Sequence, residues 1–210
     1  MASATLTVLS SVLGLTPLHF VCKPLTMLIA IGFVYLRASQ VRALERFDWL
    51  LIAALAASMA GDIFLMLPGG YFIPGLASFL VAHLFYIALF RQGIAWFPSA
   101  RALLLALSAG AAMYAWVWGG LTDPVLKVAV AAYVGVISLM VAQAIGRATV
   151  LSDTASKAVA LGACVFMLSD SLIAINRFVQ ALPLVSLWVL TTYYAAQFLM
   201  VHNASRPGAR

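Results

Sequence analysis

The stretch Cys164–Phe178, "CVFMLSDSLIAINRF", is apolar enough to cross a membrane, yet it carries Asp170 and Arg177. A charged group inside hydrocarbon is costly and is retained where it faces a bundle interior and serves a function. Read outward from this stretch, the rest of the chain has the same character. Of 210 residues, 65% are hydrophobic and 9% charged, and the mean hydropathy is +1.07. A soluble domain has about 25% charged residues. A helical span needs roughly 20 apolar residues to cross about 30 Å of hydrocarbon. The composition therefore predicts an all-α, polytopic membrane bundle. No segment is polar and long enough to form a separate soluble domain, so residues 1–210 read as one membrane-embedded unit.

Breaks at charges, Pro and Gly delimit about eight transmembrane helices, near 3–20, 24–37, 49–67, 71–91, 98–119, 124–146, 156–178 and 182–203. The first and second meet at "CKP", residues 22–24, where they are either separate or joined. With eight crossings, both termini share a side with Arg37, Arg42, Arg46, Arg91, Arg101, Arg147, Lys157, Arg206 and Arg210. Only Lys23, Lys127 and Arg177 lie opposite. The bias of basic residues toward the cytoplasm puts both termini there, in what reads as a bacterial cytoplasmic (inner) membrane. The net charge of +6 is this topological signal, not a nucleic-acid footprint. The N-terminus has no basic region of signal-peptide type. Cys22 and Cys164 form no metal-type spacing or disulfide framework.

Four of the six acidic residues have local explanations. Glu45 and Asp48 lie in an Arg-rich loop, while Asp123 and Asp153 precede apolar runs as helix caps. Asp62 and Asp170 have none, and they are the candidate functional carboxylates, with a structural ion pair to Lys23 or Arg177 as the simpler reading. Asp62 precedes Tyr86 by the same interval as Asp170 precedes Tyr194, a weak sign of a four-span repeat. His83 lies mid-span, three residues before Tyr86 and so on the same helical face. His19 and His202 lie near span ends, and no ligand spacing suggests a metal. Arg177 lies two turns beyond Asp170 on one face, with Ser169 and Asn176 similarly related. Lys23 and Arg177 either snorkel to the headgroups or bind a phosphate. Tyr193, Tyr194 and Gln197 lie too deep for an interfacial belt and can hydrogen-bond within the bundle.

Four motifs in order, "GDIFLM", "SFLVAHLFYI", "FMLSDSLIAINRF" and "YYAAQFLM", together with "KP" at Lys23–Pro24, resemble the YhhN-like family of integral membrane lysoplasmalogenases over essentially the whole chain. The resemblance implies a membrane ether hydrolase that cleaves the vinyl ether bond of a lysophospholipid to a fatty aldehyde and a glycerophospho-amine alcohol. It places the polar site positions on Lys23, Asp62, His83, Tyr86, Ser169, Asp170, Asn176 and Arg177.

The chemistry suits these residues. A vinyl ether hydrolyses by protonation of its β-carbon, and water then attacks the oxocarbenium ion. A carboxyl in an apolar bundle can remain protonated at neutral pH. A second carboxylate can steady the cation and serve the water, as in glycoside hydrolysis. Asp62 and Asp170 are the expected catalytic pair, with His83 tuning one of them or positioning the water. Lys23 and Arg177 would hold the phosphate, Tyr86, Ser169, Asn176, Tyr194 and Gln197 would line the substrate site, and no cofactor is required. The principal alternative is a proton-coupled transporter using the same carboxylates, for which a helix broken at Gly61–Asp62 would speak. An intramembrane aspartyl protease fits less well, because Ser169 rather than tyrosine precedes Asp170. Ester hydrolysis would call for an activated serine, and neither Ser78 nor Ser169 lies in a nucleophile elbow.

Overall fold

The computed structural model describes residues 3–5, 7–8, 16–40 and 42–204, with side chains from residue 20 within the first long helix. The predicted first span and the side chain of His19 thus lie largely outside the described residues. Among those residues the fold is all-helical: α1 (Thr16–Ser39), α2 (Arg46–Met66), α3 (Phe72–Phe90), α4 (Ala100–Val117), α5 (Pro124–Leu151), α6 (Thr154–Phe178) and α7 (Val185–Asn203). A single 3-10 turn, Trp118–Gly120, follows α4. The six segments Phe20–Ser39, Arg46–Met66, Phe72–Phe90, Ala100–Gly120, Pro124–Leu151 and Thr154–Phe178 are long and apolar enough to cross a membrane. The protein is a polytopic α-helical membrane protein. Large apolar side chains such as Leu104, Leu105, Val125 and Val128 are exposed along these segments, as suits contact with lipid.

Helix α1 runs without interruption through Pro24, so "CKP" is a joint inside one helix and not a boundary. Proline removes one backbone bond at a cost of about 3 kcal/mol. Unpaired backbone in hydrocarbon costs several kcal/mol per group, so the helix persists through the proline.

The chain forms two compact units, Met1–Leu89 and Phe90–Arg210. In the first, α1 packs on α2. The buried positions of α2 are Phe47, Asp48, Leu51, Ala54, Leu55, Ser58, Gly61 and Asp62, recurring every three or four residues as one inward stripe. Its start is fixed by a capping box between Glu45 and Asp48. Asp48 is buried in the first turn rather than in a loop, and Arg42 grips it with two hydrogen bonds of 2.8 and 3.2 Å. These bonds raise the pKa of the Arg42 guanidinium above its usual value. Helix α3 packs closely on α2, because a Cβ at Gly61 would lie 2.5 Å from the Phe79 ring and one at Gly75 would lie 2.7 Å from Leu65. The turn between them carries Gly69 and Gly70 at φ +108° and +87°, the left-handed region that glycine adopts at no steric cost.

In the second unit α4 packs on α5, α5 on α6 and α6 on α7. Asp123 caps α5 through the Val125 amide, and Asp153 caps α6 through the Ser156 amide, as the sequence predicts. Cation–aromatic pairs flank α4: Arg91 lies over Trp96 at 4.6 Å, and Lys127 lies over Trp118 at 4.3 Å. Such amphipathic pairs suit headgroup depth. Arg147 is not a loop residue. It lies inside α5, buried, and donates to the carbonyls of Phe90 and Gln92 at 3.2 and 2.9 Å. One turn earlier, Gln143 bonds the Phe97 amide and the Ala95 carbonyl. Together they satisfy the irregular backbone at the start of this unit.

Candidate functional site

In the first unit, the inward stripe of α2 brings Asp62 to four residues from the helix end. From α1, Lys23 reaches it, with Nζ 2.9 Å from Oδ1. The two side chains are 11% and 2% exposed, so this ion pair is dry. Neither snorkels to the surface. Two charges removed from water cost several kcal/mol each, and only their mutual attraction and further hydrogen bonds offset that cost. The Lys23 ammonium has three N–H donors, of which the ion pair engages one face.

Helix α3 contributes a face made of Phe79, His83, Tyr86 and Phe90, spaced by three or four residues and almost wholly buried. Phe79 presses on Gly61, the neighbour of Asp62. His83, one turn beyond Phe79 on the same face, therefore belongs to the surface of α3 that meets α2. Helix α2 is continuous through Gly61–Asp62, so the broken helix that a transporter reading calls for is not present at this point.

In the second unit, Asp170 lies in α6, half-buried, and accepts a hydrogen bond from the Tyr133 hydroxyl of α5. Ser169 is buried and donates to the Val189 carbonyl at 3.0 Å, tying α6 to α7. Asn176 accepts from the Leu182 amide at 2.9 Å and closes the turn after α6. Arg177 is exposed, its guanidinium 5.8 Å from the Phe178 ring centre. On α7, Tyr193, Tyr194 and Gln197 are buried. Gln197 lies 3.5 Å from the Tyr193 hydroxyl, and Tyr193 meets Phe166 edge to face.

The structure thus brings together Lys23 and Asp62, and it places His83 and Tyr86 on the adjoining helix face of the same unit. It gives Asp170 a partner the sequence reading does not single out, Tyr133. The signal for Tyr133 was a tyrosine in mid-span, far from either interface. Ser58, one turn before Asp62 and fully buried, was likewise passed over. Among the described residues no group of three His, Cys, Asp or Glu side chains is arranged to hold a metal.

An ion pair and a histidine buried within long apolar helices mark a candidate functional site in a helical membrane protein. The chain is a member of the YhhN family, whose model matches residues 18–204. It is 35% identical over 165 residues to the lysoplasmalogenase TMEM86B of Rattus norvegicus, covering 78% of this chain and 65% of the rat protein. It is 32% identical over 184 residues to human TMEM86B, also named lysoplasmalogenase, covering 88% of this chain and 74% of the human protein. A lysoplasmalogenase of Mycobacterium bovis is 31% identical over 156 residues, covering 71% of this chain and 58% of that protein. No solved structure matches the chain.

Proposed function

We propose that this chain is a membrane lysoplasmalogenase, an ether hydrolase that releases a fatty aldehyde and a glycerophospho-amine alcohol from a lysoplasmalogen. The observation that carries the reading is the set of relatives named for this activity, matched by a chain that holds Asp62 and Asp170 within its long apolar helices. An ionisable side chain inside a span is costly and marks a functional site by default.

The roles divide by partner. Asp170, held by the neutral phenol of Tyr133, delivers the proton to the β-carbon of the vinyl ether. Electron density moves from the ether oxygen into the C=C bond, and an oxocarbenium ion forms. Asp62, the ionised member of the lysine pair, takes a proton from the water that attacks that cation. The hemiacetal then collapses: its O–H proton passes to Asp170, its C–O bond breaks, and the glycerol oxygen takes the proton held by Asp62 and leaves as an alcohol. His83 orients the water. Lys23 and Arg177 are the candidate cations for the lipid phosphate, which suits both residue types. Tyr86, Ser169, Asn176, Tyr194 and Gln197 line the path of the lipid. The substrate enters from the membrane, both termini are cytoplasmic, and no cofactor takes part.

The test supplies purified protein with a lysoplasmalogen, a matched lyso-ester and a matched saturated lyso-ether. The reading predicts aldehyde from the vinyl ether alone. Fatty acid from the ester with no aldehyde, or no turnover of any of the three by folded protein, rejects it.

A further inference from the structure

Hydroxyl side chains inside helices ordinarily bond back to the carbonyl one turn earlier. Ser78, Ser138, Ser171 and Thr192 all do so here, onto Pro74, Val134, Met167 and Trp188. Ser58 does not. It is fully buried in α2, and its Oγ has no hydrogen-bond partner among the described residues. Leaving a buried hydroxyl unmet costs about 1–3 kcal/mol, so its position calls for a reason.

Its neighbours supply one. Ser58 and Asp62 are four residues apart on the buried stripe of α2. That spacing sets their Cβ atoms about 5–6 Å apart, a gap that one water spans with a hydrogen bond of about 2.8 Å to each oxygen. The register of α2 against α3 adds a third member. Gly61 meets Phe79 and Leu65 meets Gly75, so the two helices run antiparallel. The same register carried three residues the other way puts Ser58 level with Ala82, beside His83. His83 shares the α3 face of Phe79, and Ser58 precedes Gly61 by about one turn on the α2 face that Phe79 touches. A buried water needs about three polar partners, and this register offers it a hydroxyl, a carboxylate and an imidazole.

We infer that Ser58 is a positioning residue that holds the hydrolytic water between its Oγ and Asp62, at the level of His83. The inference rests on the lysoplasmalogenase reading and specifies which groups fix its water. Ser58 does not touch the lipid. It acts by aiming the water at the oxocarbenium carbon while Asp62 accepts the proton.

The test compares wild type, Ser58→Ala and Ser58→Thr for aldehyde release from a lysoplasmalogen, with Tm in detergent measured on each. Ser58→Ala removes a hydroxyl that no group among the described residues satisfies, so its Tm should match or exceed that of wild type. Its kcat should fall about 10- to 100-fold, the scale of a misplaced reactant, with KM unchanged. Ser58→Thr restores the hydroxyl and should recover part of the rate. The split between kcat and Tm in Ser58→Ala decides the matter even where the extra methyl of threonine fits poorly. Wild-type kcat in Ser58→Ala, beside an active wild type, overturns the water site alone. A joint loss of Tm and kcat without recovery in Ser58→Thr marks a packing role and also overturns it. A wild type that releases no aldehyde removes the reaction itself, and the water site with it.

Discussion

Replacing Lys23 with methionine keeps the side-chain stem and removes the charge that faces Asp62. At 2.9 Å and an effective dielectric of about 20, the attraction between the two groups is about 6 kcal/mol. That attraction is set against a desolvation cost of several kcal/mol per ion. The intact pair is therefore close to neutral for stability, but a lone charge left in the same place is not. Breaking a buried pair from one side costs about 3–5 kcal/mol, whereas replacing both members with apolar groups is often neutral or stabilising. Lys23→Met should thus lower Tm in detergent by about 6–20 °C, at roughly 2–4 °C per kcal/mol. Lys23→Met/Asp62→Leu should regain most of that loss. Both variants should be inactive toward a lysoplasmalogen, so the double variant separates stability from activity. The assay is a thermal melt followed by aldehyde release on the same preparations. A Lys23→Met protein with wild-type Tm, or a double variant no more stable than the single one, would refute the claim that the pair is dry and retained for function.

Tyr133→Phe removes the donor to Asp170; the loss of a charge-assisted bond, about 1.5–3 kcal/mol, should appear in kcat for aldehyde release while KM holds. Arg147→Met strips the donor from the Phe90 and Gln92 carbonyls. It should cost about 1.5–3 kcal/mol, read as a lower Tm. Gly120→Ala places a Cβ 1.8 Å from the Phe178 carbonyl oxygen. Overpacking against backbone costs about 1–3 kcal/mol, so its melt should fall by several degrees.

Six of the helices were legible because each is an apolar run long enough to span a bilayer, bounded by charges, Pro or Gly. Asp123 and Asp153 were legible as caps because a cap needs only local sequence. The chain through Pro24 was harder: in water a proline ends a helix, whereas in hydrocarbon the helix is the only conformation that satisfies the backbone. Arg147 read as a loop cation for the opposite reason. It lies near a helix end in sequence, yet its partners, Phe90 and Gln92, are more than fifty residues away. Asp62 and Asp170 stood out because a carboxylate in a span has no local excuse. Lys23 was legible as a candidate partner because a base in an apolar run is as conspicuous as the carboxylate, and the structure pairs it with Asp62; Tyr133 was not, because it comes from another helix and only packing selects it. Ser58 was silent because a serine in a membrane helix is ordinary until its hydroxyl is seen to skip the usual carbonyl.

The central claim is that a carboxyl of this bundle protonates the carbon of a vinyl ether. The most direct measurement is to run wild type and Asp170→Asn on a lysoplasmalogen in heavy water and trap the aldehyde at once as its alcohol for mass spectrometry. The account predicts one deuterium on the carbon next to the former carbonyl in the wild-type product, and no aldehyde above background from Asp170→Asn. Product without that deuterium, or aldehyde from Asp170→Asn at the wild-type rate, would contradict it.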